Sequence, residues 1–93
     1  MNEIVLRQRS YELLIKYYLV LQEKGYAPKE AYSSTEIYSM SNCAWLCKEL
    51  YTEIDKFSIF EISFRIGIIE GAMKSRGLIN NEEETFECLI NQL

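Results

Sequence analysis

The stretch SIFEISFRIGIIEGAMKSRGL, residues 58–78, decides how this chain folds. Read by twos, Phe60, Ile62, Phe64, Ile66 and Ile68 alternate with Glu61, Ser63, Arg65 and Gly67, the pattern of a half-buried strand. Read by threes and fours, the apolar set runs on through Ile69, Ala72 and Met73, as a helix requires. Ser58 with Glu61 three positions on forms a capping box, and Phe57 with Ile62 supplies the hydrophobic staple. No second convincing strand exists to pair with the first. At the far end Gly77 stands where a left-handed C′ residue belongs. Arg76 complements the helix dipole, and Leu78 can touch Met73 in a Schellman contact. The stretch is predicted to be a helix.

That helix carries two interior glycines, Gly67 and Gly71, each costing about 1 kcal/mol relative to alanine. With Ser63 and Ser75 they recur every four residues and form a row of small side chains. Such a row lets another helix approach closely, and the contact would offset the propensity cost. The expected neighbour is the first helix of the same chain, or this same helix in a second copy, which would make a homodimer. Glycines that are merely tolerated are the third possibility. The similarity to membrane small-residue motifs is geometric only, since Glu61, Arg65, Glu70 and Lys74 exclude a bilayer.

Working outward, a first helix is expected from about Glu3 to Lys24. Leu6, Leu13, Tyr17 and Val20 form one apolar row, and Tyr11, Leu14, Tyr18 and Leu21 form another. Gln8, Glu12, Lys16 and Glu23 fall opposite. Gly25 is its natural stop, and Tyr26-Ala27-Pro28 begins a connector. Ser33 with Glu36, stapled by Tyr32 and Ile37, predicts a second helix from near Ser34. Its apolar set reaches Ile54. The poor helix former SMSN (39–42) offers a break in that helix as the alternative, with Ser41 as a new N-cap. A last helix is expected from Asn80 or Asn81, where Glu82, Glu83 and Glu84 suit a helix N-terminus. Phe86, Leu89, Ile90 and Leu93 then share one face. The expected architecture is one all-α domain spanning residues 1–93, a small bundle of about four helices.

A chain of 93 residues with 48% hydrophobic content can hold a modest core without metals or cross-links. No charged-then-apolar leader and no bilayer-length apolar run is present, so a cytoplasmic protein without membrane association is expected. Three cysteines, Cys43, Cys47 and Cys88, read as free thiols. Histidine is absent, which removes the commonest general base and metal ligand. Cys43 and Cys47 share a helix face, but without a CxxC knuckle they read as small apolar core residues, and no metal or cofactor is expected. The carboxylates, thirteen glutamates and Asp55, fall mostly at caps and solvent faces, and no phosphate-cradling loop occurs. Enzyme chemistry is not expected.

Net charge is −4. Residues 1–25 and 58–77 each carry +1, residues 26–57 carry −2, and residues 78–93 carry −4 with no basic side chain. This balance disfavours nucleic acid as the main partner. A helix-turn-helix could be drawn through 28–56, with a turn at Ser39–Asn42 and a recognition helix from Cys43. That helix would present Lys48, Glu49, Thr52, Glu53 and Asp55 to phosphates, the wrong overall sign. The seven tyrosines divide instead. Tyr11, Tyr17, Tyr18 and Tyr51 fall on apolar stripes. Tyr26, Tyr32 and Tyr38 cluster about the connector, where a tyrosine offers contact area and a polar tip. Together with Glu82, Glu83 and Glu84, these three are the candidate protein-binding residues.

The segment SFRIGIIEGAMKSRGLINNEEE resembles a pattern common in short phage and prophage proteins. In those, an arginine precedes an apolar-Gly-apolar-x-x-Gly run, a glycine-stopped helix end and an acidic helix start. The resemblance covers residues 60–87, and Phe64 stands where such proteins carry a tryptophan beside the arginine. It implies a mobile-element origin in a class of small helical proteins without assigned chemistry. The expected function is therefore non-enzymatic protein binding, with an anti-CRISPR-like inhibitor of a host nucleic-acid-handling enzyme as the leading form. A helical DNA-binding regulator or a self-associating accessory protein is the alternative.

Overall fold

The computed structural model describes residues 2–30, 35–80 and 84–92. These residues form four α-helices and no strand: α1 (Glu3–Glu23), α2 (Met40–Thr52), α3 (Ile59–Ser75) and α4 (Phe86–Ile90). The protein is a small all-α bundle in which α2 packs between α1 and α3, and α4 lies on α1 and α3. The helical reading of 58–78 is the one realised. Ser58 Oγ accepts the Glu61 N–H at 3.1 Å, while Ile62, Ile66, Ile69 and Met73 turn inward. One cluster of buried side chains joins them to Leu13, Leu14, Tyr17 and Leu21 of α1, and to Cys43, Leu46, Cys47 and Leu50 of α2.

Both long outer helices end as their glycines dictate. Gly25 and Gly77 have φ of +85° and +70°. In each case the C′ and C″ amides turn back to the last helical turn. Gly25 N–H donates to Gln22 O and Tyr26 N–H to Leu21 O; Gly77 N–H donates to Lys74 O and Leu78 N–H to Met73 O, all within 3.0 Å. A long-range clamp holds the end of α2. Arg7 on α1 donates through Nη1 to the carbonyls of Ile54 and Phe57, at 2.7 and 2.6 Å. Tyr51 receives Tyr11 and Tyr18 edge-on, with centroids 6.1 and 5.6 Å away.

Four expectations need correction. First, α2 starts neither near Ser34 nor after a Ser41 cap. Ser39 is its N-cap, accepting the Asn42 N–H at 3.1 Å. The fully buried Asn42 amide then donates to Ile37 O at 2.9 Å, which fixes residues 36–39 as a turn rather than a helix. Ser33 and Ser34 lie outside the described residues. Second, the helix drawn from Cys43 begins three residues earlier, at Met40, and ends at Thr52, so Glu53 and Asp55 lie beyond it.

Third, α4 is a short helix beginning at Phe86, with extended Thr85 as its N-cap and Glu84 before it outside the helix. Its N-terminus is served from another helix: Glu70 Oε2 on α3 accepts the Phe86 N–H at 2.9 Å. Phe86 and Leu89 are buried while Ile90 is exposed; Leu93 lies outside the described residues. Fourth, α1 does not cover the row Ser63, Gly67, Gly71 and Ser75. A Cβ placed on Gly67 or Gly71 would meet no heavy atom within 4 Å. Ser63 is half-buried and Ser75 exposed. The larger isoleucines turn α3 the other way, because burying them removes far more apolar surface from water than burying glycines would.

Candidate protein-binding surface

The connector is tied down at several points before it presents any side chain. Lys29 N–H donates to Ser41 O at 3.3 Å, joining the connector to the first turn of α2. Lys29 Nζ pairs with the Glu36 carboxylate, and that hydrogen bond and charge hold the Glu36 carboxyl below its usual range. Ser39 N–H donates to Glu36 O at 3.0 Å, and Asn42 secures Ile37 from beneath. Tyr38 is carried on this pinned turn and stands 61% exposed.

Tyr38 lines a cleft of about 640 Å³ with Tyr26, Lys29, Ile37, Met40 and Arg76. Tyr26 is half-buried as the residue after the α1 stop, its body packed on the core. Arg76 arrives from the end of α3. The cleft thus combines an exposed phenol, an apolar floor and two cationic side chains, one of them paired with Glu36. A neighbouring groove of the same size, lined by Pro28, Trp45, Lys48, Glu49 and Glu53, lies on the other side of Lys29.

Of the residues expected to bind, Tyr26 and Tyr38 come together in one cleft. Tyr32, Glu82 and Glu83 lie outside the described residues. Glu84 is exposed but sits elsewhere, beside Arg9, Glu12, Leu13 and Lys16 of α1. The cysteines divide by burial. Burial pushes the Cys43 thiol up to about 11 and raises Cys47 further still. Cys88 is exposed, and its hydrogen bond with the Thr85 hydroxyl lowers its pKa. No group of three potential metal-ligating side chains occurs among the described residues.

Sequence reasoning missed the outer side of α3. Phe60 and Phe64 belong to the apolar set of this stretch, yet they are 79% and 64% exposed. The signal was available: they stand four apart and in line with Gly67 and Gly71, not with Ile62, Ile66 and Ile69. Arg65 borders them, bonded to Glu49 at 3.2 Å and stacked 4.7 Å over the Phe57 ring. No protein-family model, curated protein or solved structure matches the chain.

Proposed function

We propose that this protein is a non-enzymatic binding protein that acts by docking on another protein. The observation that carries this reading is Tyr38, a largely exposed aromatic on an anchored turn at the mouth of the Tyr26–Arg76 cleft. A tyrosine offers a large contact area and a polar tip at little ordering cost on binding, the property that enriches it in hot spots. The net charge of −4 suits competition for a basic groove. Together with the phage-like pattern of residues 60–87, this favours a cytoplasmic inhibitor of a host nucleic-acid-handling enzyme, in the manner of an anti-CRISPR protein.

The test is capture from a bacterial host lysate with wild-type protein and Tyr38→Ala in parallel. A nucleic-acid-handling enzyme retained by the first and lost by the second is the expected result. An identical captured set for both would remove the Tyr38 cleft from the binding surface. Salt-sensitive binding of duplex DNA by the protein alone would instead assign it to the DNA-binding class.

A further inference from the structure

Among the described residues, the outer side of α3 is a seam without a neighbour. Phe60, Phe64, Gly67 and Gly71 are spaced four, three and four apart, so they share one line along the helix, as a and d positions do. All four are exposed. The line has an internal asymmetry: its first half bears two large aromatic knobs, and its second half bears two sites with open space where a Cβ would stand. Half-buried Ile68 and Trp45 extend it, lining a cleft of about 350 Å³ beside Phe64. Two exposed interior glycines are unfavourable for the helix on its own.

We propose that this seam is covered by a second copy of the chain, with the two α3 helices antiparallel about a dyad between Arg65 and Ile66. In that arrangement Phe64 lies over the partner's Gly67, and Phe60 over the partner's Gly71. The reciprocal contacts follow from the dyad, as an isologous interface requires. A parallel pair would set phenyl against phenyl and leave glycine facing glycine across a void. The self-complementarity of knob and hole on one line is what selects a second copy as the occupant.

Area sets the strength. With about 200 Å² for each phenylalanine side chain, the exposed parts of Phe60 and Phe64 supply roughly 280 Å² per copy. The 17-residue helix offers a contact about 25 Å long. Adding the glycine strip, Ile68 and the stems of Glu61 and Lys74 brings the total for both copies to roughly 800–1,000 Å². Stable specific interfaces bury about 1,200–2,000 Å². The dimer is therefore weak and reversible, forming in the range of tens to hundreds of micromolar. The seam shares no residue with the lining of the Tyr38 cleft, so the two surfaces are separately testable.

Sedimentation of the full chain from about 5 to 500 µM should show the average mass rising towards the dimer. Phe64→Glu should weaken association at least tenfold, Phe60→Ser should weaken it as well, and Tyr38→Ala should leave it unchanged. Circular dichroism on each variant checks that the helices persist, as expected at exposed positions. Orientation is read with a nitroxide on Ser75→Cys in a Cys88→Ser background. The two labels should stand near 30 Å apart across an antiparallel pair, against about 10 Å across a parallel one. A chain that stays monomeric to 500 µM overturns the proposal. So does a dimer indifferent to both phenylalanine substitutions, or a label separation near 10 Å.

Discussion

The Tyr17 hydroxyl donates to Glu70 Oε2 at 2.5 Å, and the same oxygen accepts the Phe86 N–H at 2.9 Å. One buried carboxyl oxygen thereby joins α1, α3 and the start of α4. Tyr17 is fully buried, so its hydroxyl has little recourse to water if Glu70 is lost. Glu70→Ala should cost roughly 2–3 kcal/mol, because it strands the Phe86 N–H and removes the shorter bond of the Tyr17 hydroxyl, whose other acceptor, Glu84 O, stands 3.4 Å away. Glu70→Gln keeps an acceptor and should cost about 1 kcal/mol. Tyr17→Phe combined with Glu70→Ala should be non-additive by at least about 1 kcal/mol. Hydrogen exchange locates the damage: the Leu89 amide should lose protection before the core of α1. Equal costs for Glu70→Ala and Glu70→Gln would mean that the shared acceptor is energetically idle.

The four glycines divide into two kinds, and alanine distinguishes them. At Gly67 and Gly71 an added methyl meets nothing, so each substitution should stabilise the monomer by up to about 1 kcal/mol. At Gly77, where φ is +70°, alanine is forced into the left-handed region and should destabilise by roughly 1–2 kcal/mol. Denaturant melts at low micromolar protein measure both. Destabilisation by Gly67→Ala at that concentration would place a neighbour against α3 that the monomer lacks.

Arg7 should be irreplaceable by lysine. Its guanidinium bonds Ile54 O and Phe57 O through one nitrogen and Glu3 Oε1, at 3.0 Å, through another. An ammonium cannot span these acceptors in the same plane. Arg7→Ala should cost roughly 2–3 kcal/mol and Arg7→Lys more than half of that. The surface pair with Glu3 contributes little, so Glu3→Ala should change stability by less than about 0.5 kcal/mol. A neutral Arg7→Lys would show that the two carbonyls find water as readily as the guanidinium.

Helix identity was legible wherever a local signal coincided with the burial pattern. Ser58 capping Glu61, and Gly25 and Gly77 closing their helices, are interactions between near neighbours, which sequence displays directly. The start of α2 was misread because Ser33 with Glu36 and Ser39 with Asn42 offer competing local solutions. Buried Asn42, reaching back to Ile37, favours the later start. The true partner of the α4 N-terminus was invisible for a different reason: Glu70 lies sixteen residues before Phe86. The exposed face of α3 was misassigned because Phe60 and Phe64 are apolar, and hydrophobicity alone does not say which of two apolar rows turns inward. Of the candidate binding residues, the connector tyrosines were found by position in the chain; their meeting with Arg76 required the fold.

Cysteine reactivity should follow burial. Cys88 is exposed with its pKa lowered by Thr85, whereas the Cys43 and Cys47 thiols are buried and held neutral. Iodoacetamide at pH 8, followed by mass spectrometry, should label Cys88 rapidly and the other two only after unfolding. The same burial predicts a loss of stability in alkali. In the folded protein Cys43 keeps its proton up to about pH 11, whereas an ordinary thiol gives it up near 9. Between those values the folded state binds more protons than the unfolded one, so stability falls as pH rises. It is fully retained below about pH 9 and declines by roughly 2–3 kcal/mol through pH 11 on account of Cys43 alone. Cys47 and Tyr51, both raised first by burial, act in the same direction. Denaturant midpoints from pH 7 to 11 should therefore be level and then drop, and Cys43→Ala should shallow the drop. A midpoint that stays level through pH 11, or native-state labelling of Cys43 as fast as Cys88, would put that thiol in contact with solvent and take it out of the core.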